Sequence, residues 1–323
     1  MADKPSRALV LYGDGLARFV DSSNTHIHSL ASVASCGFLS LPHAPPGLVL
    51  IRIELEDQTL IFMSHLGMIQ TEKERIVREF SHLLDASEAY SIASGFNAKG
   101  SEHQISTLAQ RFMGLKAALV TDSSTVSSFG KLIGLDVLHL SEICQKSDSL
   151  PSDTAASEFL RLLGFEGEKC LDVSLYDSVF VHIGVDNMAM LDSLIGSIMK
   201  MAHSGSEIAP RLHLSLVLGY GSVTDKDVSV FTVKTPQGGL NPAFAGLVPR
   251  QSYTMRGEKT RDDVRDYCPM LVAQWQDGVT RKDLVDTLSF EALKKLSGNL
   301  VIPADRFIHE VAFKLWKAPK YGA

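Results

Sequence analysis

Three short apolar runs, Ala8–Tyr12, Val179–Ile183 and Leu214–Leu218, each stop at a polar or glycine turn. They are apolar at successive positions, as strands covered on both faces must be. Around them the period changes. Ile27, Leu30, Ala31 and Ala34 fall on one side of a helix that Asn24 or Thr25 can cap. Glu72–Leu84 places Ile76, Val77, Phe80, Leu83 and Leu84 on one side and charge on the other. Pro42, Pro45 and Pro46 interrupt the chain, after which Leu48–Leu55 and Thr59–Phe62 read as a hairpin around Glu56-Asp57-Gln58.

From there strands and helices alternate. The pattern predicts helices over His103–Phe112, Val126–Ile133 (ended by Gly134), Asp153–Leu163 (stopped by Gly164) and Ala189–His203. It predicts strands over Ala117–Thr121, Val137–Leu140 and Leu212–Leu218. Val228–Val233 and Met270–Gln274 read as further strands, Phe290–Leu296 and Phe307–Trp316 as late helices. Thr235–Asp266, rich in glycine, proline and charge, reads as a surface excursion. Such alternation implies a largely parallel sheet with helices on both faces.

Composition narrows the function classes. The chain has 323 residues, 45% of them apolar, enough for a substantial core. A net charge of −6 argues against a nucleic-acid binder and means that an anionic substrate would need a local basic pocket. Cys36, Cys144, Cys170 and Cys268 have neither zinc nor redox spacing and read as reduced thiols. No run reaches the ~20 apolar residues of a membrane span, and the N-terminal stretch does not read as a secretory signal. A cytoplasmic protein is expected.

Four segments carry a resemblance to a known family. They are Leu9-Val-Leu-Tyr-Gly-Asp-Gly15, Asn24-Thr-His-Ile-His-Ser-Leu-Ala31 followed by Ser35-Cys-Gly37, Ser128-Phe-Gly-Lys-Leu-Ile-Gly-Leu135, and Tyr176-Asp-Ser-Val-Phe-Val-His-Ile183. Together the chain resembles the archaeal-type cofactor-independent phosphoglycerate mutases of the alkaline phosphatase superfamily, and most of all the short mutase-like proteins of plants. The resemblance implies a three-layer α/β/α sandwich, alkaline-phosphatase-like, with a mostly parallel central sheet. It implies one domain over residues 1–323, the family's inserted second domain being shortened to roughly 42–114. It also implies a site of two metal ions held at strand ends, and a phosphorylated three-carbon acid as ligand.

The departures fall on the chemistry. Asp14 matches the family's first metal-binding aspartate. Where the family has an Asp and a His after the Val-His strand, this chain has Asn187 and Leu191, with Asp186 one residue off. The next strand ends in Gly219-Tyr220 instead of Asp-His, Arg261–Pro269 holds Asp262, Asp263 and Asp266 but no His, and the family's nucleophilic serine context is missing. Asp14 with Asp186, or with one of those three acids, could hold at most one hard ion, and oxygen-only ligation suits a loosely bound Mg2+ better than zinc. The expected cofactor is therefore none, or one weakly bound Mg2+ or Mn2+.

Other candidates have blander readings. An Asp-Gly after a strand is also a common turn. His26 and His28, two apart, do not share a helix face and read as surface or capping residues. His182 reads as a satisfied core histidine. No Gly-x-Ser-x-Gly elbow or phosphate loop occurs. Arg250, Arg256, Lys259, Arg261 and Arg265 lie within sixteen positions and could bind an anion through guanidinium groups, although acids are interspersed among them. The expected function is a phosphoglycerate-mutase-like protein with a degraded two-metal site, a binding or regulatory pseudoenzyme that could take a protein partner. The alternative is an active 2,3-bisphosphoglycerate-independent mutase, converting 3- to 2-phosphoglycerate in glycolysis, or a related metal-dependent phosphohydrolase.

Overall fold

The computed structural model describes residues 5–42, 50–55, 58–63, 72–93, 105–144, 151–167, 169–222, 228–233, 241–244, 255–256, 259–260, 267–279, 283–296 and 301–319. The first half of the chain runs β1 (Arg7–Gly13), α1 (Thr25–Val33), β2 (Ser35–Leu41), β3 (Leu50–Leu55), β4 (Gln58–Met63), α2 (Glu72–Leu83), α3 (Ser87–Ala93), α4 (Leu108–Arg111), β5 (Ala117–Val120), α5 (Ser124–Leu132), β6 (Asp136–Leu138) and α6 (Leu140–Cys144). It continues through α7 (Pro151–Leu162), β7 (Phe165–Glu166), β8 (Lys169–Cys170), β9 (Ser178–Ile183), α8 (Met188–Met201), β10 (Leu212–Gly219) and α9 (Val228–Phe231). Then come β11 (Met255–Arg256), β12 (Lys259–Thr260), β13 (Tyr267–Gln276), α10 (Phe290–Leu296), β14 (Val301–Pro303) and α11 (Ala304–Lys314).

Eight strands form one sheet in the order β14-β2-β13-β10-β1-β9-β5-β6. Only β13 runs against its neighbours β10 and β2. The three apolar runs are adjacent: β1 pairs in parallel with β10 on one side and β9 on the other. Alternate residues of β1 divide between two cores. Leu9 and Leu11 face a layer with Ile27, Leu30, Phe159, Leu191 and Leu194, from α1, α7 and α8. Ala8, Val10 and Tyr12 face Val77, Phe80, Leu83, Phe129 and Phe307, from α2, α5 and α11. The fold is thus α/β, a central sheet between two helical layers.

Two expectations need correction. Val228–Val233 is not a strand: Val228–Phe231 forms a turn of helix, and only Thr232 bridges to Tyr267. Phe231 is fully buried against Tyr220, so packing overrode the β propensity of the valines. The helix foreseen over His103–Phe112 is confined, among the described residues, to Leu108–Arg111, opened by a capping box between Thr107 and Gln110. Ser35–Leu41 and Val301–Pro303 are sheet strands that the apolar pattern did not announce. The surface excursion at Thr235–Asp266 lies largely outside the described residues. All four cysteines are free thiols.

Candidate functional site

In open α/β sheets, ligands bind beyond the carboxyl ends of the strands where the chain's winding direction reverses. Here that point is β1, flanked by the two later strands β9 and β10. Asp14 is the first residue beyond β1, and its N–H donates to Ile183 O at the end of β9. The turn continues through Gly15 at φ 68°, a left-handed conformation that glycine takes at little steric cost. After β10 the chain turns through Gly221 at φ 85°, where an added Cβ would come within 2.8 Å of Gly15 Cα. The two turns therefore touch backbone to backbone. Arg18 ties them further: its Nε donates to Tyr220 O at 2.9 Å, its Nη2 to Ser222 O, and its guanidinium lies 4.9 Å from the Tyr220 ring centroid.

Helix α2 supplies what sits beneath. Val77, Phe80 and Leu83 bind it to the sheet, and Glu72 and Glu74 in its first turn complement the helix dipole. Arg75 and Glu79, one turn apart at the border of that apolar stripe, are carried inward. Arg75 Nη2 donates to Asp14 Oδ1 at 2.7 Å and to Glu72 Oε1 at 2.5 Å, while Nε donates to Glu72 Oε2 at 3.0 Å. Nη1 lies 2.8 Å from Glu79 Oε2, close enough for an ion pair, although its N–H is not aimed along that line. The Tyr12 hydroxyl donates to Glu79 at 3.1 Å, and the Ser222 hydroxyl to Glu72. Side-chain exposure is 1% for Arg75, 4% for Asp14 and 2% for Glu79.

Charge and burial compete in this cluster. Burial pushes the Asp14 carboxyl above its ordinary range, and Arg75 pulls it back only in part. Burial likewise raises Glu79, Arg75 opposing and Asp14 adding to the rise. Burial disfavours the Arg75 charge, but Glu72, Glu79 and Asp14 outweigh it and hold the guanidinium cationic. A hydrogen bond from Arg75 holds Glu72 below its usual value. Tyr12 is raised by burial and by the two acids.

His182, the register partner of Tyr12, lies on the same face of the sheet. Its Nδ1 is 2.9 Å from Thr121 Oγ1, which also accepts from Ser123 N. Its Nε2 is buried without a hydrogen-bond partner among the described residues, so the sequence reading of a satisfied histidine holds for one nitrogen only. Burial, reinforced by the charge of Arg75, lowers its pKa to about 4, and the ring is neutral at pH 7.

The described residues at these strand ends do not assemble a two-metal site. The carboxylate oxygen that Asp14 would offer an ion is bonded to a guanidinium. Asp186 lies on the exposed turn after β9. Asn187 sits at the start of α8, its amide donating to Gly184 O at 3.4 Å. Leu191 is wholly buried in the core between α8 and the sheet. Among the described residues no three His, Cys, Asp or Glu side chains gather as a ligand set would. Arg250, Arg261, Arg265, Asp262, Asp263 and Asp266 lie outside the described residues. Arg256 and Lys259 are register partners in the β11–β12 ribbon. Sequence reasoning missed Arg75, Glu79 and Thr121. The one available signal was a charged pair, four apart, bordering the apolar stripe of α2.

No family model matches the chain, and no curated protein is similar to it at a significant level. Solved structures do resemble it. The PH0037 protein from Pyrococcus horikoshii matches at a TM-score of 0.51 and 12% identity, covering 100% of both chains. A cofactor-independent phosphoglycerate mutase from Thermoplasma acidophilum matches at 0.43 and 10% identity, over 96% of this chain and 100% of that one. A protein in the alkaline phosphatase superfamily from Vibrio parahaemolyticus matches at 0.41 and 9% identity, over 87% and 63%. At such identities the likeness concerns the fold, which this chain shares along its whole length with the Pyrococcus protein.

Proposed function

We propose that this chain is a phosphoglycerate-mutase-like pseudoenzyme, a binding or regulatory protein in which an arginine has taken the place of the metal. One observation carries the reading: Arg75 bonds the buried carboxylate of Asp14 at 2.7 Å and pairs with Glu79 at 2.8 Å. A guanidinium neutralises carboxylates and fixes them, but it offers no open coordination position and cannot activate water or clamp two phosphoryl oxygens as a metal pair does. Asp14 is only 3% exposed, so a phosphorylated three-carbon acid does not reach it directly. Any such ligand is proposed to use the arginines at 250, 256 and 261. Cytoplasmic placement is part of the same proposal.

The test combines metal analysis with turnover. Protein passed through gel filtration is expected to carry no tightly bound zinc or manganese. A coupled enolase assay with added manganese, cobalt or magnesium is expected to show no conversion of 3- to 2-phosphoglycerate. About two metal ions per chain, with turnover abolished in Asp14→Ala, would restore the active mutase or phosphohydrolase reading.

A further inference from the structure

At the end of the sheet where the parallel strands begin, one row of side chains differs from the row above it. Register places Ala117, Ser178, Ala8, His213 and Gln276 side by side on β5, β9, β1, β10 and β13. Ala8 and Ala117 belong to the core that α2, α5 and α11 cover. Neighbours in register share a face, so Ser178 and His213 project into that core on either side of Ala8. The next row on this face is Leu119, Phe180, Val10, Ser215 and Gln274. Large apolar side chains thus give way to alanine and serine, which fill less of the space between sheet and helices.

Two polar groups of this row, Ser178 Oγ and His213 Nδ1, are buried with no hydrogen-bond partner among the described residues. Both residues are 0% exposed. Their neighbours fix where the hydrogens lie. Gln274 Nε2 donates to Ser215 Oγ at 3.4 Å, and Ser215 Oγ lies 3.1 Å from His213 Nε2. The Ser215 hydroxyl has that ring nitrogen as its acceptor, so Nε2 is bare and Nδ1 carries the hydrogen. Burial, with the charge of Lys314 adding to it, holds the His213 pKa well below its usual value and keeps the ring neutral. The unpaired group on β10 is therefore a donor, and Ser178 on β9 can accept. Ser6 Oγ, two residues before Ala8, is a third buried oxygen with no partner among the described residues.

We propose that Ser178 and His213 hold a structural water molecule over Ala8, with Ser6 as its third partner. Burying a polar group without a hydrogen bond is costly, and internal waters answer such groups with about three bonds each. β9 and β10 are two strand spacings apart, about 9.6 Å at the backbone. Side chains reaching over the intervening alanine therefore need something between them. The water accepts from His213 Nδ1 and donates to the serine oxygens. A neutral ligand fits here where a charged one does not. A cation would meet the charge of Lys314, and a buried anion would give up its hydration for three neutral partners. The water joins β9, β1 and β10 at the end of the sheet remote from Asp14.

The test uses the whole protein, isotopically labelled at the histidine nitrogens and studied by NMR. The His213 ring signals are assigned by their loss in His213→Gln. They are expected to show the tautomer with hydrogen on Nδ1, and that hydrogen is expected to cross-relax with a long-lived water. Ser178→Ala is expected to weaken the water signal and to lower Tm by about 2 °C, because the water loses a partner. Ala8→Ser puts a hydroxyl where the water sits. It is expected to abolish the water signal and to leave the His213 tautomer unchanged.

Three results would overturn the proposal. The first is a His213 ring with its hydrogen on Nε2. The second is no cross-relaxation between water and the Nδ1 hydrogen in the parent protein. The third is a higher Tm in Ser178→Ala, the outcome of removing a hydroxyl that is buried and truly unpaired. A Tm that rises with chloride but not with acetate at equal ionic strength, and no longer does so in Ser178→Ala, would also overturn it, assigning the place to an anion instead.

Discussion

Arg75 is the residue on which the site turns. Two buried carboxylates and one buried guanidinium leave the cluster short of positive charge, with Glu72 contributing at its exposed edge. Removing one partner of a buried pair is costly because the others are left uncompensated. Arg75→Ala is therefore expected to lose about 3–5 kcal/mol at pH 7. Asp14 and Glu79 have raised folded pKa values, so the stability they contribute is present at low pH and lost as pH rises through those values. The deficit of Arg75→Ala should accordingly shrink between pH 7 and pH 5 in urea unfolding. An equal deficit at both would show that the carboxylates do not depend on Arg75. His182 works in the opposite direction. Its folded pKa of about 4 lies below the ordinary 6.5, so its contribution is complete above pH 6.5 and lost as pH falls towards 4. That difference is worth about 3 kcal/mol. His182→Gln should flatten this part of the acid limb, though not all of it, because His213 is also buried with a lowered pKa. A stability–pH curve unchanged by His182→Gln would count against a buried neutral imidazole.

Among the elements, the turns after β1 and β10 and the helix α2 act as one unit. The turns meet at Gly15 and Gly221, and Arg18, Ser222 and Glu72 bond them to each other and to α2. Gly221→Ala places a methyl group against the backbone of Gly15 and forces a left-handed φ on alanine. It is expected to cost about 2 kcal/mol and to loosen Asp14, read as faster amide exchange at Asp14 and Gly15. Unchanged exchange would mean that the turns are not coupled. Much of the element map could be read in advance. The doubly covered strands β1, β9 and β10 and the helices α2, α7 and α8 follow directly from apolar period. Val228–Phe231 was misread because two valines and a phenylalanine carry β propensity, whereas burial of Phe231 against Tyr220 decided the conformation. β2 and β14 were missed because Ser35, Gly37 and Ser40 dilute one pattern and three residues are too few to show a period in the other.

For the whole molecule, residue order and chain folding determined different things. The apolar alternation by itself fixed an α/β sheet with helices on both faces, because burial is a property of each segment's own pattern. The identities Asn187, Leu191 and Gly219-Tyr220 at the ends of β9 and β10 are likewise read from the sequence alone. What surrounds Asp14 was invisible there. Arg75 is 61 residues from Asp14, and nothing local to either marks the pair. Glu72, Arg75 and Glu79 read as a solvated charge pattern on a helix, the ordinary fate of such residues. Only the packing of α2 across β1 and β10 turned that pattern inward. Electrostatic and packing energies depend on distance in space, and for residues this far apart in sequence that distance is set by the fold.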